Sequence, residues 1–582
     1  MEILLLASGF NSLTQRVFAA LRDRGHSVAV ELALGDDAAL RAALARLGPD
    51  LVIAPMLKRA IPADVWSSVT CLVVHPGPLG DRGPSSLDRA VQEGRSAWGV
   101  TVLQAEAEMD AGPVWASVEC ELPPRGKSDL YRGEVADAAL EAVLLAVDRC
   151  ASGTYEPLSQ DTPQIRARVA TRPLLRQEER RIDWQRDTTA EVLHRLRAAD
   201  SQPGVLDEIG GVEWFLHGGH EEDRLRGTPG ELLAARTGAV CRATVDGAVW
   251  IPQLRARRRP GGPPPFALPA TLALAHAARG RPERRLPPLP EAPAALELGP
   301  ERRTWSDIRY QEVGEVGLLW FAFPSGAMST HHCRRLLAAY REACRRPTSV
   351  LVLGSPRDFF GNGIHLNVIE AAPDPAAESW ANINAIDDVV EAVLTTTDRL
   401  VVAALGGNAA AGGVMLAQAA DEVWCRRGVV LNPHYRLMGL SGSEYWTYSL
   451  PRRVGPAEAA RMLDAALPVG AERALDLGLV DRILGCAPQD FAGAVIRSAQ
   501  RLAASSGSQA RAARKKADLD RRQAEKPLHA YREEELARMH AIFFDQDHPY
   551  HALRRAFVRK EPPVTTPEHL RAYHRSAVST SP

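Results

Sequence analysis

Apolar residues in the first 80 positions fall into short unbroken runs: EILLLA at residues 2–7, SVAVELAL at 27–34, DLVIAPML at 50–57 and CLVVHPG at 71–77. Runs of this length without polar alternation predict strands buried on both faces. LTQRVFAALRDRG (13–25) has its apolar residues at helical spacing and ends on Gly25, so it predicts a helix between the first two strands. Strand and helix alternate in the rhythm of a doubly wound parallel sheet, whose ligand site lies at the carboxyl ends of the strands. His75 sits at such an end.

After about residue 165 the pattern changes. TTAEVLHRLRAAD (188–200) predicts one helix, and AVCRATVDGAVWIPQL (239–254) predicts short strands of a small β domain of OB type. RRPGGPPPFALP and LPPLPEAP mark residues 257–300 as a Pro-rich extended linker. Beyond it VGLLWFAF, SVLVLG and RLVVAALGG are again buried strands, separated by helices such as THHCRRLLAAYREACRR. They predict a second α/β core. ARAARKKADLDRRQAEK and YREEELARMHAIFF alternate charge at helical spacing, as solvated or subunit-packing helices do. No internal repeat is visible. The chain reads as an α/β multidomain protein with units 1–164, 165–256, 257–300, 301–500 and 501–582.

Composition narrows the function classes. The 582 residues are 45% hydrophobic and 24% charged with a formal net charge of −1, so no global field selects nucleic acid or an anionic membrane. Eight cysteines without a CxxC pair fit a reducing cytosol better than a disulfide framework or a zinc module. MEILLLASGFNS reads as a first strand, not an export signal, and no apolar run approaches the roughly 20 residues of a membrane helix. The expected location is the cytoplasm. The turn ASGFNS lacks GxGxxG, which disfavours a dinucleotide. SSLD (85–88) predicts a helix N-cap. The adjacent histidines of THHC (330–333) point in different directions on a helix, which favours packing over metal binding.

VVHPGPLGDRG, followed by WGVTVLQAEAEMDAGPVW, resembles the folate-dependent formyltransferase family. RPLLRQEERRIDW, TPGELL and VDGAVWIPQL are similar to that family's C-terminal domain. The resemblance implies N10-formyltetrahydrofolate as substrate, with Val73, Arg82 and Gly83 bordering it. Moving a formyl group calls for a donor to the tetrahedral oxyanion and a carboxylate to manage protons. His75 is the expected donor and Asp110 the expected carboxylate. The family's amide residue two positions before the histidine is here Val73, which resembles the hydrolase domain of formyltetrahydrofolate dehydrogenase, where that position is also apolar. That departure favours a different acceptor, or hydrolysis, over an amino group on tRNA.

FFGNGIHLN and GGNAAAGGVMLAQAAD look like the two oxyanion-hole segments of the crotonase, or enoyl-CoA hydratase, superfamily, over about residues 312 to 485. The resemblance implies coenzyme A as ligand, with the amides of Ile364 and Gly412 gripping a thioester carbonyl and Asn362, Gly363 and Gly413 close by. The hydratases place a glutamate in each of two motifs, where this chain has Met415 and His434. Methionine cannot move a proton, so hydration through paired carboxylates is not expected. His434, Tyr435, Glu444, Tyr445 and Tyr448 in the following segment, with Asn362 and His365, supply other groups. Glu444 is the expected base, and Tyr435 or His434 the expected acid.

The order of the two halves, with HPGPLGDRGPSSLD, NPHYRLMGLSGSEYW and LPRRVG, resembles the HypX/HoxX family of hydrogenase maturation factors over essentially the full chain. What that resemblance implies is synthesis of the carbon monoxide ligand of [NiFe]-hydrogenase. N10-formyltetrahydrofolate would give its formyl group to coenzyme A, and formyl-CoA would then lose CO. The implied partners are folate, coenzyme A and the [NiFe]-hydrogenase maturation machinery, with no nucleic acid, no membrane and no metal.

Overall fold

A computed structural model of the chain describes residues 1–281, 286–299 and 301–574. They form two compact units. Among the described residues the first comprises Met1–Asp207, Phe215–Gly219 and residues 562–574, and the second comprises Glu208–Trp214 and His220–Glu561.

In the first unit a six-stranded sheet runs in the order Ser27–Leu32, Glu2–Ala7, Leu51–Ala54, Cys71–His75, Ala97–Gln104, Val114–Glu121. The first four strands are parallel and are the four runs legible in the sequence. The last two join antiparallel, with His75 opposite Thr101. Helix Ser12–Asp23 starts where the Asn11 side chain accepts the Thr14 N–H, and the chain leaves it through Gly25 at φ 85°. Helix Ser86–Gln92 begins after Ser85 as SSLD predicts, but the Ser85 hydroxyl does not cap it. That oxygen accepts the Leu175 N–H instead, and Asp88 takes Lys127 and Arg180.

The second unit contains a four-stranded β sheet in the order His220–Glu222, Ala248–Ile251, Ala239–Ala243, Leu232–Arg236. The stretch expected as an extended linker is more ordered than its proline content suggests. Leu268–Pro269 pairs with Gln253–Ala256, and Ala270–Ala277 is a helix. Proline stands at the entry of that helix, where its missing N–H costs nothing.

The larger sheet of this unit runs Ile308–Val313, Val316–Phe321, Val350–Ser355, Leu400–Leu405, Glu422–Arg426, Arg482–Leu484, parallel after the first hairpin. Both faces are covered. Leu351, Leu353, Val401 and Ala403 face one core, while Val350, Val352, Leu400 and Val402 face another with Phe491, Val495 and Ala499. That two-sided burial is why the strands read as unbroken apolar runs.

Of the two charged C-terminal helices, Ser508–Glu525 buries only Ser508, as a solvated helix does, while the second corrects the expectation drawn from its charge. Helix Leu528–Phe544 inserts Leu528, Leu536, Met539 and Phe543 into the larger core, together with the buried carboxylate of Glu535. Its apolar stripe is masked in the sequence by charged residues that find partners inside. In the THHC segment His332 is buried, stacked on Phe323 at 4.3 Å, and its N–H bonds to Ser329 Oγ. No helix among the described residues is long and apolar enough to cross a membrane.

Residues 562–574 complete the first unit. His574 bridges Val28, and the Thr566 hydroxyl donates to buried Glu31 at 2.6 Å while accepting the Leu32 N–H at 2.9 Å. Thr566→Val keeps the shape and strands both partners, at an expected cost of about 1–3 kcal/mol. Hydrogen exchange over residues 27–34 should quicken and the midpoint of this unit's unfolding should fall. Unchanged exchange would mean that the segment carries no stability.

Candidate active site

In the first unit the parallel strand Cys71–His75 delivers a buried imidazole to the edge of a turn. His75 Nδ1 lies 3.5 Å from Asp110 Oδ1, and Nε2 lies 3.0 Å from Asp81 Oδ1. Asp110 has a left-handed backbone, φ 57°. The geometry is held by Gly83, whose N–H donates to Asp110 Oδ2 at 3.0 Å, and by Gln160, whose amide donates to the Asp110 carbonyl at 3.0 Å. The turn after His75 is tied down as well. Trp98 Nε1 and Ser86 Oγ donate to the Pro76 carbonyl, and Thr101 Oγ1 to that of Gly77. Any side chain on Gly77 would collide with His75 Nε2 and Asp81 Oδ1, so only glycine lets the chain pass there.

In the second unit the two glycine-bearing segments meet. The Ala410 N–H donates to the Gly361 carbonyl at 2.8 Å, and a Cβ on Gly363 would stand 3.2 Å from the Gly412 nitrogen. Gly412 opens helix Gly412–Gln418, so its N–H is one of the groups a helix start leaves unpaired. Neither the Ile364 nor the Gly412 amide has an acceptor within the described residues. Opposite them, Glu444 occupies the space a Gly412 side chain would need. Tyr435 donates to Glu444 Oε2 at 2.8 Å, and the Ser443 N–H donates to the same oxygen at 3.0 Å.

Glu444 and Tyr445 are consecutive left-handed residues, φ 61° and 58°. Two buried carboxylates from distant helices hold them. Asp387, on helix Pro375–Thr395, accepts the Glu444 N–H and the Ser443 hydroxyl, each at 2.8 Å. Glu535 accepts the N–H groups of Tyr445 and Thr447 at 2.9 and 2.8 Å. Burial pushes the Glu444 carboxyl up to about 7. Burial, and then the charge of Glu444, raises Asp387 well above the usual carboxylate range. The same two causes lift the Tyr435 hydroxyl far above its ordinary value.

Three family patterns match the chain: formyl transferase over residues 34–147, the formyl transferase C-terminal domain over 174–261, and enoyl-CoA hydratase/isomerase over 307–566. The last includes the C-terminal helices. A methionyl-tRNA formyltransferase of Stutzerimonas stutzeri is 30% identical over 231 residues, covering 39% of this chain and 71% of its own. The hydrogenase maturation factor HoxX of Bradyrhizobium diazoefficiens is 48% identical over 97% of this chain and 96% of its own. The chain belongs to the HypX/HoxX family of hydrogenase maturation factors. A crystal structure of HypX from Aquifex aeolicus in complex with tetrahydrofolic acid is 40% identical, has a TM-score of 0.91 and covers 98% of each chain. A formyltransferase part followed by an enoyl-CoA hydratase-like part is therefore the architecture of this chain.

Within that architecture the expected residues separate into groups. His75 and Asp110 come together, with Gly83 spending its amide on Asp110. Arg82 bonds Glu108 at 2.7 Å, and Val73 lies within the sheet between Ala54 and Leu103. Ile364, Gly412, Tyr435 and Glu444 form the second cluster. Asn362 binds the Ser325 carbonyl through its amide, and Gly413 lies so close to the Gly361 carbonyl that no side chain fits. His434 lies outside the Tyr435–Glu444 pair: its Nδ1 is 2.8 Å from the carbonyl of nearby Asn432, and burial lowers its basicity. His365 is a buried helix cap, pushed down to about 3 by burial, and Met415 is fully buried core. Tyr448 stacks edge-on against Tyr531.

The sequence reading missed Asp81, Arg172, Asp387 and Glu535. Asp81 was within view, inside GDRG six residues after His75. The other three are brought in from remote segments and carry no local signal.

Glu444 ionises near 4.5 in an unfolded chain and near 7 in the folded protein. Between those values the folded state holds a proton that the unfolded state has lost, so this group's contribution to stability falls as pH rises and levels off above about 7. Glu444→Gln stays neutral throughout. Its melting temperature should gain on that of the native protein between pH 5 and 8 in calorimetry. A pH-independent difference would contradict the buried, elevated carboxyl.

Proposed function

We propose that this family member makes carbon monoxide from N10-formyltetrahydrofolate for the active-site ligand of [NiFe]-hydrogenase, with coenzyme A as carrier. The observation that carries the reading is the Tyr435–Glu444 pair facing the free amides of Ile364 and Gly412, in a chain whose other part sets His75 against Asp110. The tetrahydrofolic acid complex of the Aquifex relative supports folate as the ligand of the first site. The partners in this reading are the hydrogenase maturation proteins, and its compartment is the cytoplasm.

In the first step the thiol of coenzyme A adds to the formyl carbon. An S–C bond forms, the carbonyl pair moves onto oxygen, and His75 stabilises that oxyanion. Collapse breaks the bond from carbon to N10. The thiol proton reaches N10 by way of His75 Nδ1 and Asp110, giving tetrahydrofolate and formyl-CoA. Val73 in place of an amide residue leaves the site without one polar group that an amine acceptor would use, in keeping with a thiol.

The second step separates H–C(=O)–S into CO and a thiol. The Ile364 and Gly412 amides polarise the carbonyl. Glu444 takes the formyl proton, and the C–H electron pair stays on carbon as the C–S bond breaks toward sulfur. Tyr435 passes its hydroxyl proton to the thiolate and takes the proton held by Glu444. The formyl carbon is neither oxidised nor reduced overall, so the balance closes without an electron carrier. A carboxyl poised near 7 suits a base at neutral pH.

Incubation with formyltetrahydrofolate, with and without coenzyme A, over haemoglobin as a CO trap tests the reading. CO should form only with coenzyme A, rising with pH as Glu444 ionises near 7. His75→Ala should lower tetrahydrofolate release on the order of 10² to 10³-fold. Glu444→Gln should release formyl-CoA or formate in place of CO. Formate at a rate indifferent to coenzyme A would mean a hydrolase, and no turnover at all would mean a scaffold.

A further inference from the structure

We infer that Asp81 is the positioning residue of the formyl-transfer site, and that it dictates which nitrogen of His75 is left to take part. The inference rests on the role proposed above for His75. Asp81 is buried, and its Oδ2 accepts from Arg172 Nε at 2.6 Å. A guanidinium is always charged and only donates, so its partner oxygen is an acceptor. The other oxygen, Oδ1, lies 3.0 Å from His75 Nε2. An ionised carboxylate accepts at both oxygens, so the proton at this contact sits on Nε2. Nδ1, on the opposite edge of the ring, faces Asp110; it takes the proton leaving the thiol and, as Nδ1–H, is then the donor to the oxyanion.

Arg172 is itself fixed from several sides. It donates to Glu93 at 2.9 Å, stacks over Trp98 with 4.9 Å to the ring centre, and its backbone N–H bonds the Arg82 carbonyl at 2.6 Å. The short pairing of Asp81–Arg82 with Ala170–Thr171 zips the two segments together. A chain of contacts from Trp98 and Glu93 through Arg172 to Asp81 thus orients the ring, the part a third group plays behind a catalytic base. Asp81 touches no reacting atom: Nε2–H stays with Asp81 through the cycle, and the proton travelling from the thiol to N10 passes through Nδ1 on the Asp110 side.

The test uses full-length protein labelled with 15N-histidine, with the His75 signals assigned by their loss in His75→Gln. The native ring should carry its proton on Nε2. Asp81→Asn lets the side-chain amide offer either its oxygen or its NH2 group to Nε2, so the signature should become mixed. Turnover of tetrahydrofolate release should fall roughly 10² to 10³-fold while KM for formyltetrahydrofolate stays within about threefold. Arg172→Lys, which keeps a cation, should recover much of the activity lost in Arg172→Met. A native ring protonated on Nδ1 alone would overturn the inference. So would native turnover in Asp81→Asn beside an inactive His75→Gln. Should Asp81→Asn fail to fold, the native tautomer and the Arg172 pair still decide it. Full activity in His75→Gln would instead refute the role of His75 itself.

Discussion

Each half of this chain sets the carboxylate proposed to act there on a residue with a left-handed backbone, Asp110 at φ 57° and Glu444 at φ 61°. Side chains larger than glycine avoid that region at a cost of about 1–3 kcal/mol, and they stay there only where surrounding hydrogen bonds over-determine the turn. Here they do. Gly83 and Gln160 hold Asp110 by its carboxylate and its carbonyl, while Asp387 and Ser443 hold Glu444 by its amide and its carboxylate. The left-handed turn sets the Asp110 carboxylate beside His75 at the strand end and the Glu444 carboxylate beside Gly412 at the helix start. Without those contacts the turns would relax and the carboxylates would swing away.

Burial supplies the second constraint. Asp387, Glu444 and Glu535 are buried together, and an isolated buried carboxylate would be costly to ionise. Their donors are mostly backbone N–H and hydroxyl groups, with Arg532 at 4.0 Å from Asp387 the exception. Neutral donors lower the cost of burial without cancelling the charge, so the acid strength of Glu444 moves toward neutrality. The first site takes the other course. A full cation, Arg172, is paired with Asp81, and the resulting fixed charge is used to hold a ring.

The C-terminal segment links these constraints to topology. Helix Leu528–Phe544 brings Glu535 under the strained turn of the second site. Thirteen described residues from Pro562 to His574 close the edge of the first unit at Val28 and Leu32. Both units therefore depend on residues placed after the crotonase-like sheet has been made. The local contacts of each site are consequently assembled from segments far apart in the chain.

The sequence by itself determined the strands, because segments buried on both faces must be continuous apolar runs, and it placed His75, Asp110 and the two glycine segments, because tight turns and unpaired amides restrict residue type locally. It also marked Tyr435 and Glu444 as candidates, nine residues apart. Tertiary structure alone decided that Tyr435 and not His434 meets Glu444, since a 3-10 turn from Tyr435 to Met438 and the left-handed Glu444 redirect both side chains. It alone recruited Arg172, Asp387 and Glu535, whose roles follow from hydrogen bonds across 57 to 91 positions and leave no periodic trace. The charged helix near the C-terminus misled for the same reason: charge in a sequence marks exposure only when no buried partner is waiting, and partners are a property of the fold.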